Sequence, residues 1–339
     1  MDEEELDLKD KIRVAVVGMG NMGRGHAAHM VAIPEAELVA LCDASLEAAV
    51  RFREEKQLDC HVYDNFSAML EAEKLDAVYI CLPPFCHNGQ VEAAAQKGIH
   101  VFVEKPIALD LERGASMAKV VQESGIYSQV GYQMRFGAAV RRFRELVASG
   151  AAGRLTLFSA GYECNSLHGP WWRRKETCGG QVFEQVIHLY DMAQYLMGEA
   201  IEVSGRVANL VHGDVPDYTV EDTSVSNIRF ASGALGCITG SNCAIKEQWN
   251  ARFRIVCENL VADFTDFNHA TITYTDSHAG TTEVISSNDD VSMLEDVYFI
   301  NTILGKNKPF ATILDGYSDL KLVGGVVTSS EQNGAVVLL

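Results

Sequence analysis

The stretch Gly18-Met19-Gly20-Asn21-Met22-Gly23 decides the fold. It follows the apolar run Ile12-Arg13-Val14-Ala15-Val16-Val17 and leads straight into a helix-forming segment, residues 24–32. Strand, glycine turn and helix in that order make a phosphate-binding unit. The first glycine permits the tight turn, the second lets a pyrophosphate approach the backbone, and the third lets helix and strand pack closely. A second apolar run, Glu37-Leu38-Val39-Ala40-Leu41-Cys42, ends in Asp43, about 20 residues after Gly23. A carboxylate at that place accepts from both hydroxyls of an adenosine ribose and repels a 2′-phosphate, so NAD is expected and NADP is the less favoured cofactor. The competing reading makes Asp43 a cap for the helix that opens at Ala44-Ser45-Leu46.

Outward from that unit, residues 12–131 alternate short β-branched runs with helical ones, the pattern of a parallel sheet covered on both faces. The strands fall at 12–17, 37–42, 59–63, 76–81, 99–103 and 126–131, and helices at 45–56, 87–97 and 110–123. After Gly150-Ala151-Ala152-Gly153 the texture changes to longer alternating strands at 154–164, 201–211, 222–230 and 234–244, then shorter ones between 252 and 286. Ala231-Ser232-Gly233 reads as a hairpin turn. Helices are expected at about 180–197, 290–304 and 314–330. The fold class is therefore α/β: an N-terminal Rossmann dinucleotide domain, 1–130, and a C-terminal α+β domain with an open, mainly antiparallel sheet, 131–339. One face of that open sheet covers the cofactor cleft, and the other calls for a second copy of the chain, so a homodimer or homotetramer is expected.

Composition narrows the partners. A chain of 339 residues, 47% hydrophobic, can bury two cores. A formal charge of −18 argues against nucleic acid and against an anionic membrane surface. The start Met1-Asp2-Glu3-Glu4-Glu5 is the reverse of a secretory signal, and no apolar run approaches the ~20 residues needed to span a bilayer. Nine scattered cysteines, an odd number without a Cys-x-x-Cys pair, suit reduced thiols in a cytoplasm.

Ligands of open parallel sheets bind beyond the carboxyl ends of the strands. Cys81-Leu82-Pro83-Pro84-Phe85-Cys86-His87 follows the fourth strand and Glu104-Lys105-Pro106 the fifth. Lys105 is either aimed at a bound nicotinamide by the proline after it or a surface cation paired with Glu104. On the later helix, Glu184, His188 and Asp191 stand at i, i+4 and i+7, along one face. An imidazole there can take a hydroxyl proton while a carboxylate orients it; a satisfied core histidine is the plainer alternative. No Cys or second His stands at ligand spacing on this helix, so no metal is expected. Tyr162 and the loop His168-Gly169-Pro170-Trp171-Trp172-Arg173-Arg174-Lys175 are expected at the pocket rim, where aromatic faces beside cationic groups suit a sugar ring. Trp172 either meets the substrate or packs the loop onto the sheet, and Arg135 either reaches substrate or sits in an ion pair.

Gly18 to Gly23, Glu104-Lys105-Pro106 and Gly179-Gly180 through His188 to Asp191, in this order, resemble the glucose-fructose oxidoreductase, inositol dehydrogenase and rhizopine-catabolism (Gfo/Idh/MocA) family. Gly131-Tyr132-Gln133-Met134-Arg135-Phe136 and Asp315-Gly316 extend the likeness over nearly the whole chain. The resemblance implies tight nicotinamide binding by Gly18, Gly20, Asn21, Met22, Gly23, Asp43, Pro83, His87, Glu104 and Lys105. It also implies hydride transfer at a sugar, glycoside or cyclitol carbon. Lys105 would hydrogen-bond the reacting oxygen and His188 would act as general acid/base. From the residues themselves, Glu184 is expected beside this pair, and Arg135, Tyr162, Trp172, Glu184 and Asp191 are the candidates to meet the substrate. Many relatives have aspartate four residues before the histidine; here Glu184 reaches one methylene further. Oxidation followed by elimination on a glycoside, and an NAD-binding sensor without turnover, are the alternative activities.

Overall fold

A computed structural model describes residues 11–276 and 279–339. The acidic start at 1–5, and the reading placed on it, lie outside the described residues.

The first sheet is built from β1 (Ile12–Val17), β2 (Ala36–Cys42), β3 (His61–Tyr63), β4 (Ala77–Ile80), β5 (His100–Val103) and β6 (Ser128–Val130), all parallel, in the order β3-β2-β1-β4-β5-β6. The order reverses between β1 and β4, which opens the ligand crevice at their carboxyl ends. β1 reads as an unbroken apolar run because both of its faces are covered. Ile12, Val14 and Val16 enter one apolar cluster, while Ala15 and Val17 enter another. Helix Asn21–Ala32 packs on the first of these faces, and so does helix Val291–Ile303, whose Phe299 and Ile300 join β1, Tyr79 and Phe102. That last helix is far from the first sheet in sequence yet shares its core.

The second sheet has nine strands in the order β14-β13-β12-β11-β7-β10-β9-β8-β15. Its members are β7 (Leu155–Glu163), β8 (Ala200–Ala208), β9 (Thr223–Phe230), β10 (Leu235–Ser241), β11 (Asn250–Cys257), β12 (Leu260–Phe264), β13 (Ala270–Tyr274), β14 (Thr282–Ile285) and β15 (Val337–Leu338). All pairings are antiparallel except β7 with β10. The β9–β10 turn forms at Ala231-Ser232-Gly233, where Gly233 takes φ 88°. Elements beyond the sequence expectation include helices Phe66–Ala72, Ala138–Ala148 and the one-turn Lys175–Cys178, and the two-residue edge strand β15. None of the described helices is long and apolar enough to cross a membrane. All nine cysteines are free.

The helix expected at 180–197 forms in two parts, a π-helical turn Val182–Val186 running into the α-helix Ile187–Met197. Its start is fixed by Gly180, at φ 118°, where a Cβ would stand 2.6 Å from the Glu221 carboxylate. Glu221 is thus free to accept from the Val182 N–H at 2.9 Å. Wider π-turns inside helices concentrate at functional sites.

Candidate active site

The carboxyl ends of β1, β4 and β5 face the helix 182–197 and the loop after β7 across a cleft of about 570 Å³. Gly20, Asn21, Met22, Cys81, Leu82, Pro83, Pro84, Glu104 and Lys105 line one wall. Gln133, Tyr162, His168, Gly169, Trp171, Trp172, Glu184, Gln185 and His188 line the other.

The first wall is made chiefly by backbone. A Cβ on Gly18 would stand 2.4 Å from the Cys81 carbonyl oxygen, and one on Gly23 would stand 1.8 Å from the Gly18 carbonyl oxygen. Only glycine lets strand, turn and helix close up here. A Cβ on Gly20 would meet nothing within 4 Å, so the turn is open on the side where a pyrophosphate would lie. Gly20 caps helix Asn21–Ala32 without any side-chain hydrogen bond, leaving the helix N-terminus available to an anion. Asp43 Oδ2 accepts from the Met19 N–H at 2.6 Å and Oδ1 from the Ser45 N–H at 2.8 Å. Asp43 thus ties the turn to the start of the next helix, and its carboxylate stays beside the turn. The residues present fit a dinucleotide.

His87 stands behind this wall and does not line the cleft. Its Nδ1 is 2.7 Å from the Ile107 carbonyl and its Nε2 3.0 Å from the Leu82 carbonyl, bracing the loops after β4 and β5 against each other. Glu104 is gripped the same way from behind. Its Oε1 pairs with His26 Nε2 at 3.1 Å and its Oε2 accepts from the Lys105 N–H at 3.2 Å. His26 Nδ1 lies 2.9 Å from both oxygens of Asp296 on the helix Val291–Ile303. Burial opposes charge on His26, but Asp296 and Glu104 outweigh it and hold the imidazole well above its usual range.

The second wall is made of side chains. The Lys105–Pro106 peptide is cis. Lys105 Nζ donates to the Glu184 carbonyl at 2.6 Å and to Glu184 Oε1 at 3.0 Å. Glu184 Oε2 accepts from Trp172 Nε1 at 2.6 Å. Burial pushes the Glu184 carboxyl up, yet Lys105 and the bonds from Lys105 and Trp172 hold it below its ordinary value, so it stays ionised. With two of its three N–H donors on Glu184, Lys105 has one left for the cleft. His188 is buried, with Nδ1 unbonded, and its ring lies edge-on to Tyr132 at 6.4 Å. Burial first and the Lys105 charge second hold His188 well below the usual imidazole value, so it is neutral at neutral pH. Burial likewise raises the Tyr162 phenol.

Of Glu184, His188 and Asp191, the first two line the cleft. Asp191, one turn further, is fully enclosed behind it. It accepts from Arg135 Nε at 2.9 Å and from Nη2 at 2.5 Å. Arg135 also reaches Asp315 at 3.3 Å and stacks 4.7 Å from the Tyr195 ring centre. Neither residue lines the cleft, and neither carboxylate orients His188: Glu184 is held by Lys105 and Trp172, Asp191 by Arg135. For Arg135 the ion-pair alternative is the one that forms. Trp172 packs into the protein at 2% exposure while bordering the cleft and anchoring Glu184. Gln133 and Gln185 are cleft residues that no chemical motif signalled. Only the fold brings them in.

Residues 12–132 match the description "Oxidoreductase family, NAD-binding Rossmann fold", and residues 140–262 match "GFO/IDH/MocA C-terminal domain". The chain is 28% identical to scyllo-inositol 2-dehydrogenase (NAD(+)) of Bacillus subtilis over 338 residues, 98% of this chain and 97% of that one. It is 30% identical to inositol 2-dehydrogenase of Rhizobium meliloti over 237 residues, 69% of each chain. In fold it resembles levoglucosan dehydrogenase solved with NADH and levoglucosan, with TM-score 0.88, 21% identity, and 97% of this chain and 99% of that one covered. On the matched residues of both halves and on that shared sequence, the chain belongs to the Gfo/Idh/MocA family of NAD-binding oxidoreductases.

Proposed function

We propose that the protein oxidises a secondary hydroxyl of a cyclitol, sugar or glycoside with NAD+, or runs the reverse reduction, in the cleft between the two sheets. The observation that carries this reading is one cleft holding the open glycine turn, the Lys105 ammonium and the neutral His188 imidazole. Gly18, Gly20, Asn21, Met22 and Gly23 would hold the pyrophosphate, Asp43 the adenosine ribose, and Pro83 and Glu104 the nicotinamide end. When bound, NAD+ supplies the hydride acceptor. Lys105 donates its remaining N–H to the reacting oxygen and stabilises negative charge developing there. His188, kept neutral by burial and by Lys105, accepts the hydroxyl proton. Glu184 fixes Lys105 through two bonds and is fixed in turn by Trp172. Tyr162 and Trp171 offer aromatic surface to the ring of the substrate, while the buried Trp172 borders the cleft and anchors Glu184.

The outer face of the second sheet carries Leu157, Val225 and Leu235, exposed by 40%, 48% and 55% on its central strands. Leu235 and Leu157 are register partners, and this face pairs with that of a second copy. With all nine thiols free, we place the protein in a reducing cytoplasm.

The test is absorbance of NADH on adding NAD+ or NADP+ with scyllo-inositol, myo-inositol, methyl glucosides, free hexoses or levoglucosan. Reduction of NAD+ by one of these classes supports the reading and names the substrate group. A protein that binds NADH tightly yet reduces NAD+ with none of them overturns it.

A further inference from the structure

The loop after β7 holds a second imidazole in the cleft. His168 has φ 47°, a left-handed backbone that residues other than glycine adopt at a cost. Three bonds hold it there: Ser166 Oγ accepts from the His168 N–H at 3.1 Å, Arg173 Nε donates to the Leu167 carbonyl at 2.8 Å, and Arg173 Nη2 donates to the His168 carbonyl at 3.2 Å. The ring centre lies 4.3 Å from that of Trp172, whose indole N–H is committed to Glu184. A strained residue fixed this firmly on a cleft wall is placed there for contact rather than for packing.

Its protonation pattern is fixed from behind. Asn242 donates to the Ser166 carbonyl at 2.8 Å and to Tyr218 Oη at 2.9 Å while its Oδ1 accepts from the Ser166 N–H at 2.9 Å, which sets its orientation. The Cys164 thiol lies 3.1 Å from that oxygen and 3.2 Å from Gln185 Oε1. Burial pushes Cys164 up to about 12, so it keeps its one proton, which the two facing oxygens share. Gln185, with its oxygen turned to the thiol, presents its NH2 to His168 Nε2 at 2.7 Å. Burial lowers His168, and Lys105 and Arg173 add to that against Glu184. A neutral ring that accepts at Nε2 carries its hydrogen on Nδ1. Nδ1 has no protein partner among the described residues, and the residue lines the cleft.

We propose that His168 is a substrate-orienting residue whose Nδ1–H donates to a ring hydroxyl or acetal oxygen away from the reacting carbon, with Gln185 as the positioning residue that fixes this donor. The inference rests on the dehydrogenase reading of the same cleft. It assigns the enzyme to rings that carry an acceptor oxygen facing the β7 loop, in addition to the hydroxyl held by Lys105.

The experiment compares wild type, His168→Phe, His168→Asn and Gln185→Leu, with NAD+ and whichever of scyllo-inositol, myo-inositol, methyl β-D-glucoside or levoglucosan the wild type oxidises. Loss of one neutral hydrogen bond raises KM about tenfold in His168→Phe, with kcat changed less and NADH affinity unchanged. Asparagine places an amide N–H near the position of Nδ1, so His168→Asn recovers most of the loss. Nitrogen-15 spectra of histidine-labelled enzyme show His168 protonated on Nδ1 in wild type and a tautomer mixture in Gln185→Leu. An unchanged KM in His168→Phe, or an Nε2-protonated His168 in wild type, overturns this inference and leaves the dehydrogenase standing. A wild type inactive on the whole panel overturns the functional reading and this inference with it.

Discussion

The two walls of the cleft are built from different materials. The nucleotide wall is main chain: the turn at 18–23 closes because Gly18 and Gly23 carry no Cβ, and it presents the amides of a helix N-terminus to the cleft. The opposite wall is a mesh of side chains from distant segments: Lys105 bonded to Glu184 across 79 positions, Trp172 to Glu184, Gln185 to His168, and Asp191 bonded to Arg135 behind them. A backbone site needs a local pattern only. A side-chain site needs the whole fold to be in register, so the two walls respond differently to substitution.

The sharpest separation comes from Lys105→Met and His188→Ala. Each is expected to lower turnover by roughly 10²–10⁴ while the NADH dissociation constant, read by calorimetric titration, stays within a factor of two or three; a parallel collapse of NADH binding would mean that the walls are not independent. Arg135→Leu strikes behind the side-chain wall and leaves Asp191 buried without its cation, which costs about 3–5 kcal/mol of stability in urea unfolding. A loss below about 1 kcal/mol would show that the pair is not the brace drawn here. Gly23→Ala should do the reverse of Lys105→Met: a Cβ 1.8 Å from the Gly18 carbonyl oxygen forces the turn apart, weakening NADH about tenfold or more, with kcat at saturating cofactor less affected.

The smallest effect is on pH. Because burial and Lys105 depress His188, the acid limb of kcat/KM should lie below the ordinary imidazole value of about 6.5. The sign for stability follows. Between the folded value of His188 and about 6.5 the unfolded chain binds the proton first, so stability rises with pH through that window and levels off above it. His87 and His168, both lowered chiefly by burial, act in the same direction. His26 is raised, so its contribution is complete below about 6.5 and is lost as pH rises through its folded value. Urea unfolding from about pH 5 to pH 8 in wild type and His188→Ala measures the His188 share; equal slopes would place that imidazole in an ordinary aqueous setting.

The parallel strands of the first sheet were readable because both-face burial writes most of them as apolar runs; their spatial order came only with the structure. The antiparallel strands were readable for the opposite reason, as in β9, where buried and exposed residues alternate. The helix Phe66–Ala72 was missed because seven residues give too few turns for a periodic signal, and β15 because two residues give none. Lys105, Glu184 and His188 were named from strand ends and helical spacing, and the structure brings them into one cleft. Asp191 was expected at the substrate, but Arg135 holds it behind the cleft. Spacing says which residues share a face; it does not say which neighbour claims a carboxylate first. His26 offered no signal at all, since its partners Glu104 and Asp296 are 78 and 270 positions away.

By itself the sequence determined the dinucleotide turn, the cofactor class, the two-sheet architecture and the identity of the cation and the imidazole that face each other. These follow from local sterics and periodicity, which short stretches of chain carry whole. Tertiary structure alone decided that Glu184 serves Lys105 rather than His188, that Asp191 belongs to Arg135, that Trp172 anchors a carboxylate while bordering the cleft, and that Gln185 meets His168 on the cleft wall. Each of these is a competition among donors and acceptors for partners, and its outcome depends on distances between segments that no stretch of sequence contains.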